Sequence, residues 1–569
     1  MNILDELQKR LSGYFNEVTH EVNYVKIFDT PHVWGEDFSK DIMNGAMIRE
    51  REFEKAITDL IEKMRYRCDI SSLNAPDEEW RKIILSAIDR GLTKNRLRKE
   101  KVQIRFLFAQ TPTSLLNGIG SYFEGTPEYI ELKKDILKLI DRRGKYWGGV
   151  PDIWIGRFYR IVEGVKTSLD KKLHPNGMIS DMDTRMTWNH TKIIAIDGSE
   201  SFVGGHNLNM DLFTSYPPVH DVSMKVLGDA AYASQLFLNK MWEAGTDLLT
   251  KETINSVEGK WENMDHVCDV PHDPLRMKYI YNCMKRQQKI YSRHPEEEGY
   301  QKSSRILSVG KYWTGPDMEK DYQDGSEIMK EFLIKKAKRK IRISQQDLVS
   351  AWKSTWSEHK VCRWLIEALL SNPDLEVQIV VSPLDGAAGA AGDQYSFGSG
   401  AKRTYELFKY YLTHDEKTDE IISDPTENRI SALKRLKIAP LFFTDKVPSN
   451  LCVEGETYKW PEAEEGSYTA TLKEMPLEKE PPKKGKIGHP LMAVLKGSGL
   501  LYPKVSPAPG NHAKITIIDD ELFVIGSDNL YPGYLSEFNY VVEGEEAVTY
   551  FINSYWNSLW KYSSKHIVS

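Results

Sequence analysis

One nineteen-residue pattern occurs twice in this chain and constrains its fold more than any other feature. Asn189–Asn207 reads NHTKIIAIDGSESFVGGHN and Asn511–Asn529 reads NHAKITIIDDELFVIGSDN, both in the frame N-H-x-K-x4-D-x6-G-[GS]-x-N. A lone H-x-K-x4-D fixes three positions and arises by chance at roughly one site in 8,000. Two extended copies in one chain imply a duplication, and weaker traces in the same order agree. An amphipathic stretch at 47–63 leads into CDISSL at 68–73, and another at 326–336 leads into IRISQQDL at 341–348, each reading as a helix that feeds a strand. A second strand follows in each copy, VQIRFLF at 102–108 and VQIVV at 377–381, at nearly constant offset (343 − 70 = 273 and 377 − 102 = 275).

The motif itself recurs at a larger offset, 512 − 190 = 322, so the second copy carries about 47 extra residues (322 − 275) before it. Val453–Pro490, rich in Glu, Lys, Pro and Gly, accommodates most of them as a solvated surface loop. The predicted architecture is α/β. Two pseudo-twofold-related halves, 1–320 and 321–569, each hold a mixed β-sheet flanked by helices, with a loop insertion near 415–490 and the site in the cleft between them.

Within each motif, His and Lys stand two apart in a run of alternating apolar residues and therefore point the same way from one strand. The runs end at Asp197 and Asp519, a hairpin turn follows, and the next strand ends in small residues before Asn207 or Asn529. Glycine there permits close approach of backbone or ligand. Two such units bring His190, His512, Lys192, Lys514, Asn207 and Asn529 around one centre, a symmetric clamp for a tetrahedral anion. One histidine then attacks phosphorus while the other protonates the leaving oxygen and later deprotonates water or alcohol. The lysines and asparagines take the role that metal ions play elsewhere, so no metal or other cofactor is expected to be required. Asp197 and Asp519, at strand ends, read as structural supports rather than bases.

The remaining composition excludes several classes. The chain has 569 residues, 40% of them apolar, and 76 Lys+Arg against 82 Asp+Glu for a net charge of −6, too even to mark a polyanionic partner. No run of 18 apolar residues and no secretory pattern at the start are present. Five scattered cysteines, Cys68, Cys268, Cys283, Cys362 and Cys452, form no C-x-x-C pair and read as reduced thiols. Gly144–Tyr159 (GKYWGGVPDIWIGRFY) reads as a packed loop over the core or as an element docking at a bilayer interface. Pro383–Gly400 reads as a mobile rim or a plain linker.

With its duplicated H-x-K-x4-D signature the chain resembles the phospholipase D superfamily. The segments FVIGSDNLYPGYLSEFNYVVEG, WKYS, ISQQDL and TPHVWGED look like those of the secreted actinomycete-type phospholipase D enzymes. The resemblance implies that His190 is the covalent nucleophile and His512 the general acid. It further implies that each histidine is held by a carboxylate beyond the opposite motif, Asp221 for His512 and Glu537 for His190, with Glu standing where the family pattern has Asp. Where the secreted relatives tend to place a cysteine pair, this chain has Val33 and Ser39. The implied function is a phospholipase D that hydrolyses the distal phosphodiester of glycerophospholipids to phosphatidic acid and a headgroup alcohol, with transphosphatidylation, through a phosphohistidine. The alternatives are a nuclease or other phosphodiesterase of the superfamily, or an inactive scaffold. The expected partner is a phospholipid membrane surface or micelle, with no nucleic acid, and the protein is expected to be a monomer. It is expected to be cytoplasmic or exported without a cleavable signal peptide, touching membranes peripherally, with calcium stimulating only through the lipid surface.

Overall fold

A computed structural model describes residues 3–19, 23–36, 42–98, 101–109, 126–160, 187–208, 219–246, 248–255, 257–264, 295–315, 318–348, 359–382, 386–387, 400–415, 422, 427–445, 450–453, 456–459, 508–531 and 533–568. Seven strands of one sheet repeat in another. In the first they are β1 (Asn23–Thr30), β2 (Arg67–Ser72), β3 (Gln103–Phe108), β4 (Asp152–Arg160), β5 (Ile193–Ile196), β6 (Glu200–Gly204) and β7 (Val219–Leu227). In the second they are β8 (Arg305–Trp313), β9 (Lys340–Gln345), β10 (Glu376–Val381), β11 (Leu436–Pro440), β12 (Lys514–Ile518), β13 (Leu522–Gly526) and β14 (Glu537–Glu543). The spatial order is β4-β3-β2-β5-β6-β7-β1 in one sheet and β11-β10-β9-β12-β13-β14-β8 in the other. Every label is displaced by seven. In both sheets the first three strands of that order run parallel and the rest antiparallel, so each sheet is mixed.

The parallel strands β2 and β3 are buried along their whole length, and the charges they carry there, Asp69 and Arg105, pair with each other. Helices α1 (Ile42–Glu62), α2 (Glu78–Asn95) and α3 (Pro127–Arg143) precede β2, β3 and β4. Asp77 caps α2, its carboxylate accepting from the Trp80 amide, and Thr126 with Pro127 opens α3. After β7 comes α4 (Ala230–Trp242); α5 (Gly325–Lys336), α6 (Lys360–Ser371) and α7 (Glu427–Arg435) precede β9, β10 and β11.

The two halves share one core. Ile193, Met224, Phe237 and Trp242 pack in one buried cluster with Ile515, Phe523, Phe538 and Trp556. Tyr540 of β14 donates to the Ala230 carbonyl and meets the Ser201 hydroxyl at 2.9 Å. Sheet membership also crosses the 320/321 division: β8 and the Asn16–Thr19 strand paired to it lie in the second sheet although both precede residue 320.

Gly144–Tyr159 is a packed loop only in its first part, where Trp147 is buried and donates from Nε1 to Asp89 Oδ1. Its second part is the interior strand β4, with Ile153, Trp154, Ile155 and Phe158 buried. Its first part, including exposed Tyr146, precedes that strand and so lies at the end of the sheet away from the histidine motif. Most of Pro383–Gly400 and most of Val453–Pro490 lie outside the described residues. Cys68 and Cys362 are buried free thiols, and among the described residues no helix is long and apolar enough to cross a membrane.

Candidate active site

Each histidine motif is fastened to the C-terminal ends of its parallel strands by the asparagine that opens it. Asn189 Nδ2 donates to Ser71 Oγ, the Ser72 carbonyl and the Leu107 carbonyl at 2.9–3.1 Å, and Asn189 Oδ1 accepts from the Thr191 amide. Asn511 does the same toward Ser344 Oγ and the Val380 carbonyl, accepting from the Ala513 amide. Buried amides satisfied in this way hold the backbone of the next residue in one place.

That next residue is the histidine, and it is tied twice to the opposite half. The His190 amide donates to the Ser536 carbonyl at 2.9 Å, and the adjacent Glu537 places its two oxygens 2.8 and 3.0 Å from His190 Nδ1. The His512 amide donates to the His220 carbonyl at 2.7 Å, and the adjacent Asp221 lies 2.6 Å from His512 Nδ1. Neither imidazole can turn without breaking contacts to the other half, and with Nδ1 engaged, Nε2 is left for chemistry.

The Glu at 537 reaches its histidine with both oxygens. Ser527 Oγ donates to Glu537 Oε2 at 2.6 Å, and Ser527 occupies the place in its motif that Gly205 holds in the first. A Cβ on Gly205 would sit 1.9 Å from Asp221 Oδ1, so the shorter carboxylate comes with the smaller residue.

Lys192 and Lys514 are buried, and each donates back to the carbonyl of its own histidine, Lys192 at 2.8 Å. Burial lowers the proton affinity of His190, assisted by Lys192, Lys514 and His512; burial, then Lys514 and Lys192, does the same to His512. Each histidine thus feels both lysines. Burial pushes Glu537 up to about 8, Asp528 adding to it, and raises Asp221 as well. In both dyads burial favours the neutral imidazole.

Asn207 and Asn529 are buried, and among the described residues the carbonyl oxygen of each has no hydrogen-bond partner; the Asn529 amide donates to Tyr531 Oη at 2.7 Å. Asp197 and Asp519 stand at the far ends of β5 and β12, away from the histidines, in left-handed backbone (φ 51° and 54°). Asp197 accepts from the amides of Arg65, Tyr66 and Arg67, and Asp519 from those of Lys338, Arg339 and Lys340, at 2.6–2.8 Å. They pin the entry of β2 and β9 across the chain rather than capping a local turn. Among the described residues no group of three or more His, Cys, Asp and Glu side chains is arranged to hold a metal ion.

Sequence reasoning missed the backbone acceptors Ser536 and His220, the supporting Ser527, and the buried charges Lys311 and Asp528. Only Asp528 carried a signal, as a charged residue inside an otherwise small and polar run.

The chain is 24% identical over 400 residues to the protein named Phospholipase D from Streptomyces antibioticus, covering 67% of this chain and 60% of that protein's length. The chain resembles the phospholipase D superfamily. No family model matches. Among solved structures, phosphatidylserine synthase of Haemophilus influenzae Rd KW20 aligns over 100% of this chain and 92% of its own, at 11% identity and TM-score 0.48. Nuc from Salmonella typhimurium, described as a phospholipase D family member, aligns over 39% of this chain and 93% of its own, at 12% identity and TM-score 0.21.

Proposed function

We propose that the protein is a phospholipase D-type phosphodiesterase that cleaves the distal phosphodiester of glycerophospholipids, releasing the headgroup alcohol, and transfers the phosphatidyl group to water or another alcohol. The observation that carries this reading is the crossed pair of dyads, His190 with Glu537 and His512 with Asp221, each made from both halves. His190 Nε2 attacks phosphorus, the P–O bond to the headgroup breaks, and the departing oxygen takes a proton from His512 Nε2. Water or alcohol then gives its proton to His512 and attacks phosphorus. The P–N bond breaks and His190 recovers its lone pair. Lys192 and Lys514 offset the negative charge on the non-bridging oxygens. An arriving phosphodiester anion in turn offsets the two ammonium groups that hold His512 neutral, so binding of substrate and protonation of the acid go together.

The chain spans 60% of the length of the curated relative it matches, and that relative's name supports the lipid reading over other phosphodiesters. On this reading the protein acts as a monomer on membrane surfaces or micelles and needs no metal cofactor.

The test is incubation with mixed phospholipids and ethanol, in EDTA, with plasmid DNA in a parallel tube. Phosphatidylethanol and phosphatidic acid with intact plasmid are expected. Cut plasmid with intact lipid would move the reading to a nuclease, and activity that needs added metal on a soluble short-chain lipid would contradict the metal-free clamp.

A further inference from the structure

The two halves match in strand order and in the wiring of their histidines, but not in the charge that accompanies their carboxylates. In the β7–β1 register Asp221 lies opposite Thr30, and Thr30 Oγ1 is 2.7 Å from His206 Nε2. In the β14–β8 register Glu537 lies opposite Lys311, and Lys311 Nζ is 2.7 Å from Asp528 Oδ1. His206 and Asp528 are the same motif position, the variable residue of G-[GS]-x-N. A neutral hydroxyl–imidazole pair in one half is therefore an ion pair in the other.

Each pair is embedded to match. His206 Nδ1 meets Ser223 Oγ at 2.7 Å, its ring centroid is 4.3 Å from that of Phe53, and burial holds the imidazole down at about 4, hence uncharged near neutrality. Asp528 instead lies 2.7 Å from Lys330 Nζ and accepts from Ser326 Oγ; Glu327 meets Lys330 at 2.8 Å and Lys311 at 3.1 Å. Burial opposes the Lys311 ammonium, and Asp528 and Glu327 overcome it. Two cations and two anions thus form a closed quartet in which Lys311, Lys330 and Asp528 are buried and Glu327 partly so, an expensive arrangement to desolvate where the other half manages with neutral groups. A small cavity lined by Lys330, Asp528, Gln345, Asn539 and Lys514, among others, places this quartet and the motif lysine on one void.

We propose that Lys311 and Asp528 are positioning residues that make the two dyads unequal, setting the proton affinity of the Glu537–His190 pair through a buried ion pair that the Asp221–His512 pair, beside Thr30 and His206, lacks. The proposal rests on the functional reading above, in which one histidine begins as a base and the other as an acid. A symmetric site offers no reason for either to take either role. The other charged and titratable groups facing the Glu537–His190 pair are Lys192, Lys514 and His512, with Ser527 as a hydrogen-bond donor. Against that fixed background, a nearby anion strengthens and a nearby cation weakens proton binding to the dyad as a unit.

The test follows the ring resonances of His190 and His512 in histidine-labelled full-length protein by NMR as pH is varied, with assignment through His190→Asn and His512→Asn. In Asp528→Asn the His190 midpoint should move down, and in Lys311→Met up, each by on the order of one pH unit. His512 should move by about half of that or less. The double variant Lys311→Thr with Asp528→His, which installs the first half's pair, should fall between the singles. If Lys311→Met does not fold, Asp528→Asn against the double variant reads the same sign. Midpoints that stay in place, or move together in one direction while only melting temperature falls, would overturn the proposal and leave the quartet a stability element. No substrate enters this measurement, so failure to cleave phosphodiesters would sink the functional reading without touching this result.

Discussion

Four buried histidines, His190, His206, His220 and His512, bind protons less readily in the fold than the free value of 6.5, chiefly because burial penalises the imidazolium. Between the folded and unfolded values the unfolded chain holds protons that the folded chain does not. The stability they contribute is therefore complete above about pH 6.5 and is lost as pH falls through the folded values. Glu537, raised to about 8, runs the other way: its contribution is present below its ordinary 4.5 and fades as pH rises through 8. Relative to the parent protein, His206→Gln should lose less stability, or gain more, on going from pH 7 to pH 5, the slope changing by roughly 1 kcal/mol per pH unit in chemical denaturation. An unchanged slope would mean that His206 is charged in the fold. The candidate residues were legible in sequence because a duplicated pattern marks itself. Ser527 and Lys311 were not, since their role depends on strands that meet only in three dimensions.

At the scale of elements, Asp197 and Asp519 anchor the strands that carry the motifs. Each gathers three amide donors from the segment entering β2 or β9, in a left-handed conformation that Asp and Asn tolerate better than other non-glycine residues. Asp197→Asn and Asp519→Asn keep that backbone and one acceptor but lose the charge. We expect a loss of about 1–3 kcal/mol each in chemical denaturation, with turnover per folded molecule changed less than about threefold. A collapse of turnover without loss of stability would place these residues in the chemistry instead. Helix-to-strand alternation made β2, β3, β9 and β10 readable in advance. The strand β4 was hidden, because Trp and Tyr beside a Gly-Gly turn resemble a surface loop until a second sheet edge and α3 cover them.

The two mixed sheets pack through a common core, with the site made where each half holds the other's histidine. Two halves were legible from the repeat; their exchange of β8 across the expected division was not, since a strand preceding the helix-strand repeat carries no mark of the sheet it will join. The crossed wiring has a consequence for the order of events. If His190 is the nucleophile and His512 only moves protons, the two cannot substitute for each other despite their symmetry. The direct test is His512→Asn with a phosphatidyl p-nitrophenyl ester, whose leaving group departs without a proton. One equivalent of p-nitrophenol should appear in a burst, turnover should stop, and mass spectrometry should find the phosphoryl adduct on the peptide containing His190 and Lys192. The absence of any adduct, or an adduct on His512 in the His190→Asn variant, would contradict the account.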